Sequence, residues 1–368
     1  MKYRIAIVRR ESISSVDGVN RFIFNLADGL SAIGHEVFLV SYSRYGIFSP
    51  DIDVRAFFGL EGNAKIYSLT DYSNSIQWAK IALSWLTVGS RFLKDLDLDA
   101  IIVNGITPLT NKKLRISVNH GIRTEDGESW KTIQNQMRLR TGRFLYKQFS
   151  DHRVCISKAL QEQFQEFIGL RSTVIPLPVK LHFFNNLPAD KRENSILHVG
   201  TRPGKNPEVS IKAVKFLTEK MKIDAKLTIA GSRTSFIDKI AAKYSDMGDR
   251  LNFVFDADRN KMCDLLQHSR ALLLPSYYEG TPYSVIESFA SGLPVVVSHA
   301  VPEEMVVDGF NGYRVKGFEP SDYAAKLASL LSYPNNWINI SKNSFKSAQY
   351  YSYINVAKKY EHEISDFS

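Results

Sequence analysis

At 368 residues the chain is long enough for two domains of about 150 residues, each burying a full core. With 44% hydrophobic and 23% charged residues it lies outside the disordered, collagen-like and disulfide-scaffold classes. The net charge of +9 is uneven, 24 Lys+Arg against 17 Asp+Glu over residues 1–180 and 23 against 21 beyond, so the first half carries the footprint of an anionic partner: nucleic acid, lipid surface or phosphorylated substrate.

The opening MKYRIAIVRRE is too short in its apolar run for a secretory signal. Nowhere do about 18 apolar residues run together, so neither export by that route nor a membrane span is expected. The buried run Ile5–Val8 reads as a strand, followed by a helix with apolar Val19, Phe22, Ile23, Leu26, Leu30 and Ile33, then a strand at Val37–Val40. Further strands at Ala100–Val103, Ile116–Val118, Val154–Ile156 and Val174–Ile175, separated by helical patterns, predict a parallel sheet covered on both faces. At 175–190 the pattern breaks into IPLPVKLHFFNNLPAD, a domain boundary. The alternation restarts with strands at Ile196–Val199, Leu227–Ile229, Phe253–Phe255, Leu272–Leu274 and Val295–Val297. Between them the helices are expected from about Pro207, near Phe236–Tyr244, at Met262–His268 and at Tyr283–Ala290. This predicts an α/β protein of two doubly wound, Rossmann-like domains, 1–180 and 190–344, with an aromatic-rich terminal helix over about 345–368 available to pack back on the first. Cys155 and Cys263 have no CxxC and no paired histidine nearby, which disfavours a zinc site or a disulfide and fits a reducing compartment.

In open α/β sheets ligands bind outside the carboxyl ends of the strands, so polar residues after strands come first. After Ile196–Val199 stands GTRPGKNP: Gly200 and Gly204 permit a tight path, Asn206 is a candidate cap and Pro207 suits a first helical turn. Arg202 and Lys205 then lie beside a helix start, where dipole and formal charge together suit a diphosphate. The plainer reading is a solvated loop with two surface cations. After Leu272–Leu274 stands PSYYEGTPYSVIESFASGLPVV, in which Thr281 and Pro282 predict a helix start, with Glu279 in the loop before it and Glu287 inside the helix. Carboxylates at this spacing line one wall and accept hydrogen bonds from vicinal hydroxyls, one from a ribose and one from a sugar ring. Taken alone, two glutamates eight apart are commonplace.

The stretch PSYYEGTPYSVIESFASGLPVVVS, followed by EEMVVDGFNGYRV, resembles the signature of family 4 retaining glycosyltransferases. DGVNRFIFNLADGLSAIGHEVFLVS, VNHG, VCISKAL and HVGTRPGKNPEVSIKAV follow the same family's order over nearly the whole chain. The resemblance implies the GT-B fold, two Rossmann-like domains facing a cleft, and transfer of a hexose from a nucleotide-diphosphate sugar to a glycan or lipid-linked acceptor. It implies that Arg202 and Lys205 neutralise the donor diphosphate, Glu287 binds the ribose and Glu279 meets the donor sugar. Gly280, Thr281 and Pro282 at the helix start would face sugar or phosphate, His120 would reach the sugar, and Gly18 would let the first loop approach the diphosphate. The chain departs from the family in Asp17-Gly18 where two glycines are usual, in Thr201 between Gly200 and Arg202, and in IPLPVK where a glycine and an acid usually stand. The chemistry implied is departure of a nucleoside diphosphate from an anomeric carbon, aided by Lys205, Arg202 and backbone N–H dipoles, with no covalent nucleophile assigned.

Asp-x-Asp pairs at Asp51/Asp53, Asp95/Asp97/Asp99 and Asp256/Asp258 have the spacing to hold a divalent cation. All three read as incidental, so no metal and no cofactor are expected; the nucleotide base is expected near Asp256–Asn260. Lys131, Arg138, Arg140, Arg143 and Lys147, interleaved with Ile133, Met137, Phe144, Leu145 and Phe149, form a basic amphipathic helix, and Trp78, Ile81, Trp85 and Phe92 an apolar stripe upstream. Each suits either an anionic bilayer or a protein core. The expectation is a cytoplasmic enzyme, peripheral on the inner face of the membrane if the bilayer reading holds, with no nucleic-acid partner since no binding motif accompanies the basic residues. The alternatives are a non-catalytic GT-B module partnering a glycosylation complex, or an epimerase or phosphorylase of similar architecture.

Overall fold

The computed structural model describes residues 1–13, 18–43, 54–70, 78–121 and 133–367. They form two compact units, Met1–Pro178 with Tyr353–Ser368, and Val179–Ser352.

The first unit contains β1 (Arg4–Ser12), α1 (Gly18–Ala32), β2 (Glu36–Ser43), α2 (Val54–Phe58), β3 (Lys65–Thr70) and α3 (Trp78–Ser84). A π turn over Trp85–Gly89 leads into α4 (Ser90–Asp95), β4 (Ala100–Asn104), β5 (Leu114–Asn119), α5 (Ile133–Phe149), β6 (His152–Cys155), α6 (Lys158–Ile168) and β7 (Thr173–Val174). The strands form one sheet in the order β3-β2-β1-β4-β5-β6-β7, with every pairing parallel. The chain runs outward from β1 to β3 and outward again from β4 to β7, so its switch point, where such sheets bind ligands, lies between β1 and β4.

The second unit runs β8 (Ser195–Val199), α7 (Pro207–Glu219), β9 (Lys226–Gly231), α8 (Ser235–Lys243), β10 (Leu251–Phe255), α9 (Arg259–His268) and β11 (Ala271–Leu274). It continues with α10 (Tyr283–Ala290), β12 (Val295–Ser298), β13 (Gly312–Val315), α11 (Pro320–Ser332) and α12 (Pro334–Ala348). Its sheet has the order β10-β9-β8-β11-β12-β13, parallel throughout. Here the switch point lies between β8 and β11. α13 (Tyr353–Ser365) returns to the first unit, against α1. A Cβ on Gly29 would stand 2.5 Å from the Tyr353 carbonyl oxygen, so the two backbones meet where α1 has no side chain.

β4, β8, β11 and β12 bury nearly every residue, and β1 buries its stretch Ile5–Val8, as a sheet covered on both faces requires. β3 and β13 are not among the strands read from the sequence. Each is an edge strand of its sheet with a partly exposed run, KIYSLT and GYRV, and lacks the continuous apolar signal of a central strand. The apolar stripe over 78–95 is broken by the π turn. Trp85 is wholly buried and its Nε1 donates to the Arg10 carbonyl at 3.0 Å. With Leu93, and with Ile81 and Phe92 packed against them, it belongs to a core cluster on the β1/β2/β4 sheet, so Ile81, Trp85 and Phe92 of that stripe pack inward; the Trp78 side chain lies outside the described residues.

Two of the Asp-x-Asp carboxylates have structural partners. Asp99 Oδ2 accepts from the Arg4 amide at 2.7 Å, and the Asp258 carboxylate caps α9 by accepting from the Lys261 amide at 2.8 Å; Asp51 and Asp53 lie outside the described residues. Among the described residues no helix is long and apolar enough to cross a membrane.

Candidate active site

In the second unit the loops that follow the switch-point strands β8 and β11 meet. Gly200 leaves β8 at φ +118°, and a Cβ there would lie 2.6 Å from Lys205 Cγ, so only glycine lets the lysine stem fold back over the strand end. Thr201 is buried and its hydroxyl donates to the Ser232 carbonyl at 2.6 Å, which gives the extra residue a place beneath the loop. A 3₁₀ turn, Pro203–Lys205, presents the Gly204 carbonyl to the Tyr277 amide at 2.9 Å. That backbone bond ties the two loops together and sets Lys205 Nζ 2.6 Å from Glu279 Oε1, with side chains 20% and 7% exposed. Arg202 heads the turn; it is exposed and makes no ion pair among the described residues.

Two expected caps differ. Asn206 sits at φ +55° and makes no side-chain cap bond, since the 3₁₀ turn delivers the chain to Pro207 through the left-handed region that asparagine tolerates. α10 begins at Tyr283, with Pro282 as its uncapped first flank; proline's fixed φ joins an extended ψ of 122° there, which holds Thr281 outside the helix. Gly280 is exposed, and the Thr281 hydroxyl oxygen is buried without a hydrogen-bond partner among the described residues. Every residue of α10 is buried, Glu287 included at 0% exposure. A carboxylate removed from water needs a cation, and Arg259, first residue of α9, supplies it with Nη1 2.6 Å from Glu287 Oε1. The guanidinium lies over the rings of Phe183 and Phe184, 5.1 and 4.8 Å from their centroids. Arg259 was not singled out in the sequence, although it stands in the Asp256–Asn260 segment; its partner is 28 residues away and known only from the fold.

Two histidines end strands. His198 of β8 contacts the Ser210 hydroxyl through Nδ1 and the Gly200 carbonyl through Nε2, each at 2.8 Å, and burial pushes it down to about 4. In the first unit His120 follows β5. Its Nε2 is 2.8 Å from Asn104 Oδ1, its ring meets Phe22 edge-on at 4.8 Å, and burial, helped by the Arg9 charge, pushes it down to about 3. His120 is therefore a neutral imidazole at physiological pH. The Asn104 amide nitrogen donates to the Val8 carbonyl at 3.3 Å, which turns the amide oxygen to the histidine and puts the ring proton on Nε2. Gly18, exposed, is the first residue of α1; Asp17 before it lies outside the described residues.

Two family models match the chain: "Glycosyltransferase Family 4" over residues 16–183 and "Glycosyl transferases group 1" over residues 180–347. The chain is a family 4 glycosyltransferase of GT-B fold. An uncharacterized glycosyltransferase of Haemophilus influenzae is 25% identical to it over 339 residues, 90% of this chain and 92% of the relative. The N,N'-diacetylbacillosaminyl-diphospho-undecaprenol alpha-1,3-N-acetylgalactosaminyltransferase of Campylobacter jejuni is 23% identical over 211 residues, 57% of this chain and 54% of the relative. Among solved structures, HepE of Anabaena in complex with UDP-glucose superposes with a TM-score of 0.75 at 14% identity, covering 99% of this chain and 100% of that one. In this glycosyltransferase the fold brings Lys205 and Glu279 into contact and sets Glu287 against Arg259, all within the second unit, while His120 and Gly18 belong to the first.

Proposed function

We propose that this glycosyltransferase is a retaining, metal-independent hexosyltransferase that takes its sugar from a UDP-hexose and passes it to a lipid-linked glycan. The observation that carries the reading is the joining of Lys205, Glu279 and their loops at the β8/β11 switch point. The UDP-glucose bound to the structurally similar HepE supports the donor, and the diphospho-undecaprenol acceptor named for the Campylobacter relative supports a lipid-linked acceptor.

In this reading the bond from the anomeric carbon to the diphosphate breaks as the acceptor hydroxyl oxygen bonds to the same face. The bonding pair stays on the diphosphate, and the hydroxyl proton passes to a leaving phosphate oxygen. Negative charge growing on that group is met by Lys205, Arg202 and the N–H groups opening α7. Glu287 holds the ribose hydroxyls, and Glu279, with the Gly280, Thr281 and Pro282 turn, orients the hexose. His120 has Nε2 engaged by Asn104, so its Nδ1 accepts from a sugar hydroxyl. Cations at Lys205 and Arg202 do the work a divalent metal would do.

α5 supports a membrane-borne acceptor. Tyr146 packs against Phe164 of α6, while Met137 and Phe144 are 63% and 59% exposed and Arg140, Arg143 and Lys147 are exposed beside them. No acidic residue interrupts Ile133–Phe149. Such a face lays apolar groups at the headgroup boundary and its cations on anionic lipid, as at the cytoplasmic leaflet.

The test is calorimetric titration of the protein with UDP, GDP and ADP in the presence of a chelator, alongside Lys205→Ala and Glu287→Ala. Micromolar binding of UDP that both variants weaken by about tenfold or more is the expected result. Absence of binding to all three nucleotides, with and without magnesium, would put the non-catalytic GT-B module in place of this reading.

A further inference from the structure

Resting on the ribose assignment of Glu287, we infer that Arg259 is the positioning residue of the donor site, holding that carboxylate charged and aimed so that the nucleotide's vicinal hydroxyls are read. Four observations meet here. Glu287 lies in a helix buried along its whole length, itself 0% exposed. Its cation comes from the start of a different helix, α9, with a side chain only 11% exposed and Nη1 2.6 Å from Oε1. The start of α9 is itself fixed, since Asp256 adopts φ +48° and Asp258 caps the helix. The guanidinium lies over the rings of Phe183 and Phe184.

The arrangement is costly as a stability device. Arg259 Nε and Nη2 are buried without hydrogen-bond partners among the described residues, and buried donors left unmade are penalised in full. A buried ion pair exchanged for apolar residues of similar volume is often neutral or stabilising, so packing alone gives no reason to keep this one. Orientation gives one. With the guanidinium over two rings and one N–H on Oε1, Arg259 fixes the direction of that carboxylate oxygen. A diol hydrogen-bonding to that carboxylate is then distinguished from a sugar lacking a hydroxyl.

The experiment compares binding of UDP and 2′-deoxy-UDP by calorimetry to the wild-type protein, Arg259→Met, Arg259→Lys and Glu287→Ala. The wild type should prefer UDP about tenfold, the value of one hydrogen bond to a charged group. In Arg259→Met and Glu287→Ala that preference should fall to about one, while affinity for 2′-deoxy-UDP stays within about twofold of wild type. Arg259→Lys keeps the buried charge pair, and with it the fold, but lacks the planar fork; an intermediate preference is expected. If Arg259→Met unfolds, Arg259→Lys decides: an unchanged tenfold preference in it overturns the inference. Equal loss of UDP and 2′-deoxy-UDP by Arg259 variants, with the preference intact, also overturns it and leaves the ribose role of Glu287 standing. A wild type with no preference, or a Glu287→Ala variant that keeps it, brings down the ribose assignment itself and this inference with it.

Discussion

Lys205 cannot bring its full charge to a diphosphate while Glu279 holds it, and this gives Glu279→Gln an effect of unusual sign. At 2.6 Å and an effective dielectric of about 20, the gross attraction is about 6 kcal/mol. Desolvation of both groups returns most of it: exposed pairs are worth about 1 kcal/mol or less, and breaking a fully buried pair costs about 3–5 kcal/mol. With side chains 20% and 7% exposed this pair falls between, and about 1.5 kcal/mol of Lys205's attraction is spent on Glu279, or about tenfold in a binding constant. Glu279→Gln should therefore bind UDP about tenfold more tightly than wild type in calorimetric titration, although the hexose loses its carboxylate and turnover drops. Lys205→Ala should bind UDP about tenfold to a hundredfold more weakly, the cost of a charge-assisted hydrogen bond to phosphate. The double variant should match Lys205→Ala, because the gain from removing Glu279 passes through the lysine. If Glu279→Gln instead weakens UDP as much as Lys205→Ala does, the glutamate is steering the lysine toward the phosphate, and the competition argued here is refuted.

Gly200→Ala, which places a Cβ 2.6 Å from Lys205 Cγ at a φ of +118°, should displace the lysine and weaken UDP by about tenfold; an unchanged affinity would show that the stem moves without cost. His198, held neutral down to about 4 by burial, stays unprotonated in the folded state while the unfolded chain takes up a proton from about pH 6.5 downward. Stability of the second unit should therefore fall between about pH 6.5 and 4 by about 3 kcal/mol and level off below; thermal melts across that range check it, and His198→Asn should flatten the slope. His120, neutral above about 3, should contribute no acid limb to the rate–pH profile between pH 5 and 8, so wild type and His120→Asn should share the shape of that profile. Phe144→Asp with Lys147→Glu on α5 should abolish co-sedimentation with phosphatidylglycerol vesicles and leave UDP affinity unchanged; retained sedimentation would rule α5 out as the contact.

The fold was legible because its central strands are buried on both faces. Runs such as Ile5–Val8, Ala100–Val103 and Val295–Val297 have no other stable use in a protein of this size, and the helices between them carry apolar residues at helical spacing. Legibility falls off toward the edges. β3 presents KIYSLT and β13 GYRV, half-exposed runs in which burial no longer selects residue type. It also fails where one residue type serves two backbones: Asn206 and Thr281 both look like caps, yet a 3₁₀ turn before Pro207 and an extended Pro282 take the chain past the cap position. The stripe of Trp78, Ile81, Trp85 and Phe92 reads alike for core and bilayer. The sheet behind Ile81, Trp85 and Phe92, with the Trp85 indole donating to Arg10, decides for the core at those three.

The site divides along the same line. Lys205 and Glu279 are visible in the sequence because loops after strands are where α/β sheets present polar groups, and Glu287 because it stands in the helix that follows the second of those loops. What the sequence withholds is the partner. Nothing within hydrogen-bonding reach along the chain tells Glu279 that it will meet a lysine 74 residues earlier, or Glu287 that an arginine 28 residues earlier will neutralise it. Those pairings follow from strand order: β8 and β11 become neighbours only because the chain turns back at the switch point, and α9 comes beside α10 only because β10 and β12 lie on opposite sides of it. Both carboxylates are thereby balanced by cations from elements that reach them through the sheet. The electrostatics of the donor site are thus a property of topology, and a substitution there acts first on a pair and only through that pair on the nucleotide.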